Sequence, residues 1–175
     1  VNSQATVDEL LHGVIIQSGN DASIAIAEHI AGSEDAFADM MNATAERLGM
    51  KNSHFMNATG LPHPDHYSSA HDMAILARAI INEDAEHYAI YSQKEFLWNN
   101  IKQPNRNLLL WRDRTVDGLK TGHTNEAGFC LVASAVRDGA RMITSVFGTD
   151  SESARAAETQ KLLTYGFRFF ETQTF

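Results

Sequence analysis

The chain contains one cysteine, Cys130, so no internal disulfide can brace it. Basic residues are scarce relative to acidic ones, 14 Lys and Arg against 22 Asp and Glu, for a formal net charge of −8. That balance excludes a nucleic-acid binder, because neutralising phosphates takes clustered cations. Long apolar runs are missing too. None approaches the roughly 18 residues that a membrane-crossing helix needs, and no basic segment followed by an apolar one opens the sequence. Internal repeats and low-complexity tracts are likewise absent. What remains is 175 residues, 43% hydrophobic and 21% charged, a composition suited to one domain with its own core.

The first two thirds carry helical periodicity. Thr6 and Glu9 have the spacing of a capping box, and Val7, Leu10, Leu11, Val14 and Ile15 follow on one face. Ser18-Gly19-Asn20 should stop this helix, and a second should run from Asp21 to Ala31, where Gly32 ends it. Ser33 can cap a third, whose stripe of Phe37, Met40, Met41, Thr44 and Leu48 reads as core. Residues 50 to 69 form a long polar connection, and Ser69 and Asp72 offer a cap for a helix carrying Met73, Leu76, Ala77, Ile80 and Ile81.

The last third changes period. Strands are expected at 116–121, 128–136 and 141–147, the latter two joined by the hairpin pair Asp138-Gly139, before a helix over about 151–170. Both faces of the 128–136 run are largely apolar, so that strand should be covered on both sides. Cys130, within Phe129–Ala133, reads as a small buried core residue; a reactive thiol would need a nearby His and an exposed turn. Helices packed on an antiparallel sheet, α/β in the α+β sense, is the expected architecture.

Two short motifs carry chemistry. In Ser18-Gly19-Asn20, a hydroxyl and a carboxamide two residues apart on a turn can project into one cleft, the first relaying a proton and the second binding an amide or a lysine. In Lys120-Thr121-Gly122-His123, at a strand end, the lysine supplies charge, the threonine can hydrogen-bond a carboxylate, and the glycine clears space for a ligand beside the strand. No Gly-x-x-x-x-Gly-Lys-Thr precedes a helix, so the second motif is not a phosphate-binding loop. His63 and His66, three apart, with His71 and Asp72, have spacing compatible with a metal, but loop and cap positions favour solvated polar residues, and no metal or other cofactor is expected. His12, His29, His54 and His87 attract no functional assignment.

In this order the motifs match two of three elements of penicillin-binding proteins and class A β-lactamases: Ser-x-x-Lys, Ser-x-Asn and Lys-Thr-Gly. The flanks extend the likeness through Gln17–Ser23, Gln103-Pro104-Asn105-Arg106-Asn107, Val116–Thr124 and Leu162–Thr172. The chain resembles the low-molecular-mass D-alanyl-D-alanine carboxypeptidases of the penicillin-binding protein 5, 6 and 6b group over nearly its whole length. That resemblance implies a β-lactamase/transpeptidase-like fold and a serine acyl-enzyme that removes the terminal D-alanine of peptidoglycan stem peptides and is acylated by β-lactams. It also implies a periplasmic place, with membrane association through a C-terminal anchor. By the same resemblance Ser18 is the proton shuttle and Asn20 positions substrate. Lys120 and Thr121 then hold the terminal carboxylate, helped by Gly122, Arg106 and His123.

Ser-x-x-Lys occurs nowhere in the 175 residues; Ser92 is followed by Gln93-Lys94, one place too early. The resemblance therefore implies that residues 1–175 are a partial catalytic domain, without the nucleophile helix and the N-terminal strands of its sheet, inactive alone and with a sheet edge exposed. A fragment that only binds peptide or scaffolds is the alternative. A class A β-lactamase would need a Glu-x-x-Leu-Asn loop, whereas the 50–69 connection offers Asn57, Thr59, His63, Asp65 and His66.

Overall fold

A computed structural model describes residues 4–83 and 85–171; Thr172, the last residue of the Leu162–Thr172 run, lies outside them. The capping box forms as the spacing requires: Thr6 Oγ1 accepts the Glu9 N–H at 3.2 Å, and the Glu9 carboxylate accepts the Thr6 N–H at 2.7 Å. It opens α1 (Val7–Gln17), after which α2 (Asn20–Ala31) and α3 (Glu34–Leu48) follow through short turns. Gly32 and Gly49 adopt φ of 82° and 81° at the two C-caps, a region that only glycine enters freely.

Beyond the 50–69 connection come α4 (Ala70–Glu83), α5 (Ala85–Tyr88) and a 3₁₀ turn, Ala89–Ser92. A hairpin of β1 (Glu95–Trp98) and β2 (Ile101–Pro104) and the short α6 (Leu109–Arg112) then lead to the sheet. Its strands are β3 (Val116–Thr124), β4 (Gly128–Arg137) and β5 (Ala140–Thr149), antiparallel in the order β3-β4-β5, and α7 (Glu152–Phe169) follows.

The central strand β4 is covered on both faces. Leu131, Ala133 and Ala135 pack with Ala156 and Leu163 of α7, whereas Val132 packs with Leu119, Ala77 of α4 and Tyr88. At Asp138 and Gly139 the φ angles are 50° and 80°, which makes the tight β4–β5 hairpin. Ile15, Ile16 and Ile90, with Phe96 against them, tie α1 to the 3₁₀ turn and the small hairpin. Tyr88 packs close against β3 at Gly118, where a Cβ would lie 2.7 Å from the Tyr88 hydroxyl.

The 50–69 connection is a stapled loop. Asp72, 1% exposed, accepts the Asn52 N–H at 2.7 Å and the Ser53 hydroxyl at 2.8 Å, while its own N–H goes to Ser69 Oγ. Burial pushes the Asp72 carboxyl up, but hydrogen bonds with Ser53, Asn52, His71 and Ser69 outweigh it and hold the group below 3.8. Its stabilising effect is therefore complete above the unfolded-state value and lost as pH falls through the lower folded one. Asp72→Ala should lower the melting temperature by several degrees at pH 7, and the difference from wild type should shrink on acidification below about pH 4; equal melting at pH 7 would refute the staple.

Three expectations need correction, and one hairpin lies outside them. Met40 is 48% exposed, because α3 turns Ala38 and Ala45 to the interior and lies on the rim of the fold. Cys130 is half-buried rather than core, its thiol facing a cavity and donating to the Ala127 carbonyl at 3.4 Å. Asp72 is not a solvated loop residue but the buried anchor of the loop. The β1–β2 hairpin, turning through Asn99 and Asn100 at φ of 49° and 60°, has no counterpart in the sequence reading, since four-residue strands are too short to establish an alternation. Among the described residues no group of three or more His, Cys, Asp and Glu side chains is placed to hold a metal ion, and no helix is long and apolar enough to cross a membrane.

Candidate active site

Ser18 ends α1 in the left-handed conformation (φ 58°, ψ 45°), with its N–H bonded to Val14 at 3.1 Å, so the chain reverses at once and Asn20 becomes the first residue of α2. The reversal brings both side chains to the cavity beside the middle of β3, which runs on to Thr124 where the sequence pattern ends the strand at 121. There Lys120 Nζ donates to Ser18 Oγ, and to the Thr121 carbonyl at 2.9 Å. Two motifs 102 positions apart thus meet in one hydrogen bond.

The cavity between them has a volume of about 510 Å³. Ser18, Asn20, Arg106, Lys120, Thr121, Gly122 and His123 all line it, so the residues given catalytic or binding roles by the resemblance reach the same space, whereas His63, His66, His71 and Asp72 do not. Ala58, Thr59, Gly60 and Leu61 from the stapled loop form a further wall. Asn57 shapes that wall: its Oδ1 accepts the Gly60 N–H at 2.7 Å and the Thr59 N–H at 3.2 Å. His123 lies tilted by 34° against Phe129, ring centroids 3.9 Å apart, which restrains the imidazole.

Three cations face this space. Lys120 is pushed down to about 8, first by burial and then by the positive charges of Arg106 and Arg155. Arg155 is 3% exposed, packs over the Phe129 ring at 5.6 Å and lies 3.6 Å from Glu152. Burial draws its guanidinium below the ordinary value, against the opposing charge of Glu152. A concave site with converging cations and a hydroxyl suits a carboxylate-bearing ligand. Arg155 and Glu152 have no signal in the sequence, because α7 reaches the site only by folding back across the sheet.

A second cavity of about 390 Å³ adjoins the first along Lys120, Thr121 and Gly122. It is apolar, with Met73, Leu76 and Ile80 of α4 facing Leu119, Leu131, Val132 and Phe147 of the sheet. Another cavity, about 1120 Å³, lies between α6 and α7. Its partly buried carboxylate, Asp113, is a structural tie. Burial raises it, but Thr115, Gln160 and the Arg137 charge together bring it down to about 2, and none of the motif residues is near.

Helices on both faces of an antiparallel sheet, with a serine turn held against a strand-borne lysine, define a partial transpeptidase-like α/β fold. The comparisons agree. The chain belongs to the D-alanyl-D-alanine carboxypeptidase family of S11 peptidases, whose profile matches residues 1–151. It is 51% identical to the D-alanyl-D-alanine carboxypeptidase DacC of Escherichia coli K12 over 172 residues, 98% of this chain and 43% of the relative. Penicillin-binding protein 5 of Haemophilus influenzae superposes with a TM-score of 0.93 at 48% identity, covering 96% of this chain and 49% of that one. Penicillin-binding protein D2 of Listeria monocytogenes, in its ampicillin-bound form, superposes with a TM-score of 0.86 at 31% identity, over 93% and 68% of the two chains. The chain spans less than half the length of DacC, the curated relative it matches at 51% identity.

Proposed function

We propose that these residues form the proton-relay and carboxylate-binding walls of a serine D-Ala-D-Ala carboxypeptidase, acting with a Ser-x-x-Lys that lies outside the 175 residues. The observation that carries the reading is the Lys120–Ser18 hydrogen bond across a cavity ringed by Arg106 and Arg155. The substrate is a peptidoglycan stem peptide ending in D-Ala-D-Ala, and β-lactams compete for the same groove, as ampicillin binding by the Listeria relative supports. The setting is the periplasmic cell wall, where such trimming influences cell shape, with membrane attachment through an anchor beyond this chain.

The chemistry follows from the positions. The nucleophilic serine, deprotonated by its partner lysine, attacks the penultimate D-Ala carbonyl; the ester forms and the amide C–N bond breaks. The departing D-Ala amine takes a proton from Ser18, which Lys120 reprotonates. Asn20 holds the acyl-side amide, and water then releases the trimmed peptide. Thr121 and Lys120 bind the terminal carboxylate with Arg106, while Gly122 lets the peptide lie close to β3 and His123 closes the end. Two unit charges about 4 Å apart attract by roughly 4 kcal/mol at an effective dielectric near 20, so a local cationic site can hold an acidic peptide on an acidic protein. The apolar cavity next to Lys120 has room for a few side chains of the segment that bears the nucleophile.

Carboxylate binding needs the protonated ammonium of Lys120, so affinity should follow its titration. The dissociation constant of N-acetyl-D-alanyl-D-alanine, measured by calorimetry on this chain, should be flat below pH 7. It should rise as pH passes about 8, approaching roughly tenfold per unit. Lys120→Met should weaken binding and abolish that dependence. Unchanged affinity in Lys120→Met, or no pH dependence in wild type, would remove the basis for the proposal.

A further inference from the structure

The Ser18 turn and the Lys120 strand meet through a flexible lysine side chain, yet a second, stiffer connection runs between them. Gln17, immediately before Ser18, donates through Nε2 to the Pro104 carbonyl at 2.8 Å. Three residues on, Asn107 donates through Nδ2 to the Gly118 carbonyl at 3.2 Å, two residues before Lys120. Pro104 and Asn107 thus bound a short segment that touches both motif-bearing elements.

The segment is rigid for a reason visible in its hydrogen bonds. Asn105 and Asn107 are 4% and 1% exposed, and both side chains are engaged. Asn105 Nδ2 donates to the Gln93 carbonyl at 2.9 Å, its N–H to Lys94 at 2.7 Å, and its Oδ1 accepts the Asn107 N–H at 2.9 Å. Asn107 Oδ1 accepts the Leu109 N–H at 3.1 Å. Buried carboxamides with both ends bonded fix a backbone that has no regular secondary structure of its own. Arg106, between them, is left to face the cavity. The tripeptide Asn105-Arg106-Asn107 therefore reads as two inward anchors around one outward cation.

We propose that Pro104–Asn107 is a clasp that sets the separation of the Ser18 turn from the Lys120 strand, with Gln17 and Asn107 acting as positioning residues for the reaction. The inference rests on the carboxypeptidase reading for its consequence in catalysis, but the clasp itself is defined by the hydrogen bonds. A loosened clasp lets β3 and α1 drift apart, so that Lys120 becomes better solvated and lies farther from Arg106.

The test compares wild type with Gln17→Met, which keeps the length of a half-buried side chain and deletes only the donor, and Asn107→Asp, which sets a carboxylate oxygen against the Gly118 carbonyl. In ¹³Cε-lysine NMR, with the Lys120 signal assigned by its loss in Lys120→Met, the midpoint should rise from about 8 toward the ordinary 10.5 in both variants. Binding of N-acetyl-D-alanyl-D-alanine should weaken by roughly tenfold, the loss typical of one misplaced charge-assisted hydrogen bond. Gln17→Met should melt with the wild type, which separates positioning from folding. Midpoints and affinities equal to wild type in both variants would overturn the clasp. Should Asn107→Asp fail to fold, Gln17→Met decides alone. Should even wild type fail to bind the dipeptide, the carboxypeptidase reading falls, and the lysine midpoint still decides the clasp.

Discussion

Mixed with a fluorescent penicillin and then denatured, the 175-residue chain should carry no covalent label. Among the described residues Ser18 is the serine hydrogen-bonded to the site lysine, but it sits on a left-handed turn with its hydroxyl engaged by Lys120, and no lysine stands three residues on to activate it. Removing the serine from a hydrolase triad has cost about 10⁶ in turnover in subtilisin, and a loss of that order is expected here for any acyl transfer. Co-expression with a Ser-x-x-Lys helix whose side chains pack into the apolar cavity beside Lys120 should restore labelling. A stable adduct on the chain alone, mapped to Ser18 by mass spectrometry, would show that this hydroxyl is a nucleophile and not a relay.

The second large effect concerns Ser18 once the nucleophile is supplied. Ser18→Ala removes the hydroxyl between Lys120 and the leaving amine while leaving the carboxylate-binding cations in place. Turnover of an acyl-D-Ala-D-Ala peptide should fall by about 10² to 10⁴, the range for one positioned proton-transfer group, with KM nearly unchanged. Lys120→Met should behave differently, raising KM as well, because it loses charge as well as relay. If Ser18→Ala raised KM and spared kcat, Ser18 would belong with the binding groups and the relay would have to be sought elsewhere.

Local rules carried much of the architecture. The Thr6–Glu9 box, the glycine stops at 32 and 49, and Asp138-Gly139 each act over a few residues, so their outcome is written in short strings. The same holds for the two motifs, whose residue types are specific enough in combination to place Ser18, Asn20, Lys120, Thr121 and His123 round one cavity. Other features depend on contacts between distant segments. Asp72 is a buried anchor because a loop twenty residues earlier brings Asn52 to it, and the string around it resembles any helix cap. Arg155 looks like an ordinary helical arginine until α7 crosses Phe129. Met40 and Cys130 failed in the opposite sense: apolar character and period suggested interior positions, but which helix face turns inward and where a cavity opens are decided by packing partners.

The backbone at Ser18 has one more consequence. A left-handed turn is cheap for glycine and costs other residues on the order of 1 kcal/mol, so the most comfortable occupant of this corner would have no side chain at all. A protein selected in the laboratory only for heat resistance should therefore be drawn toward glycine at this corner, becoming sturdier as it gives up its hydroxyl. Durability and chemistry pull on the same three atoms of backbone in opposite directions.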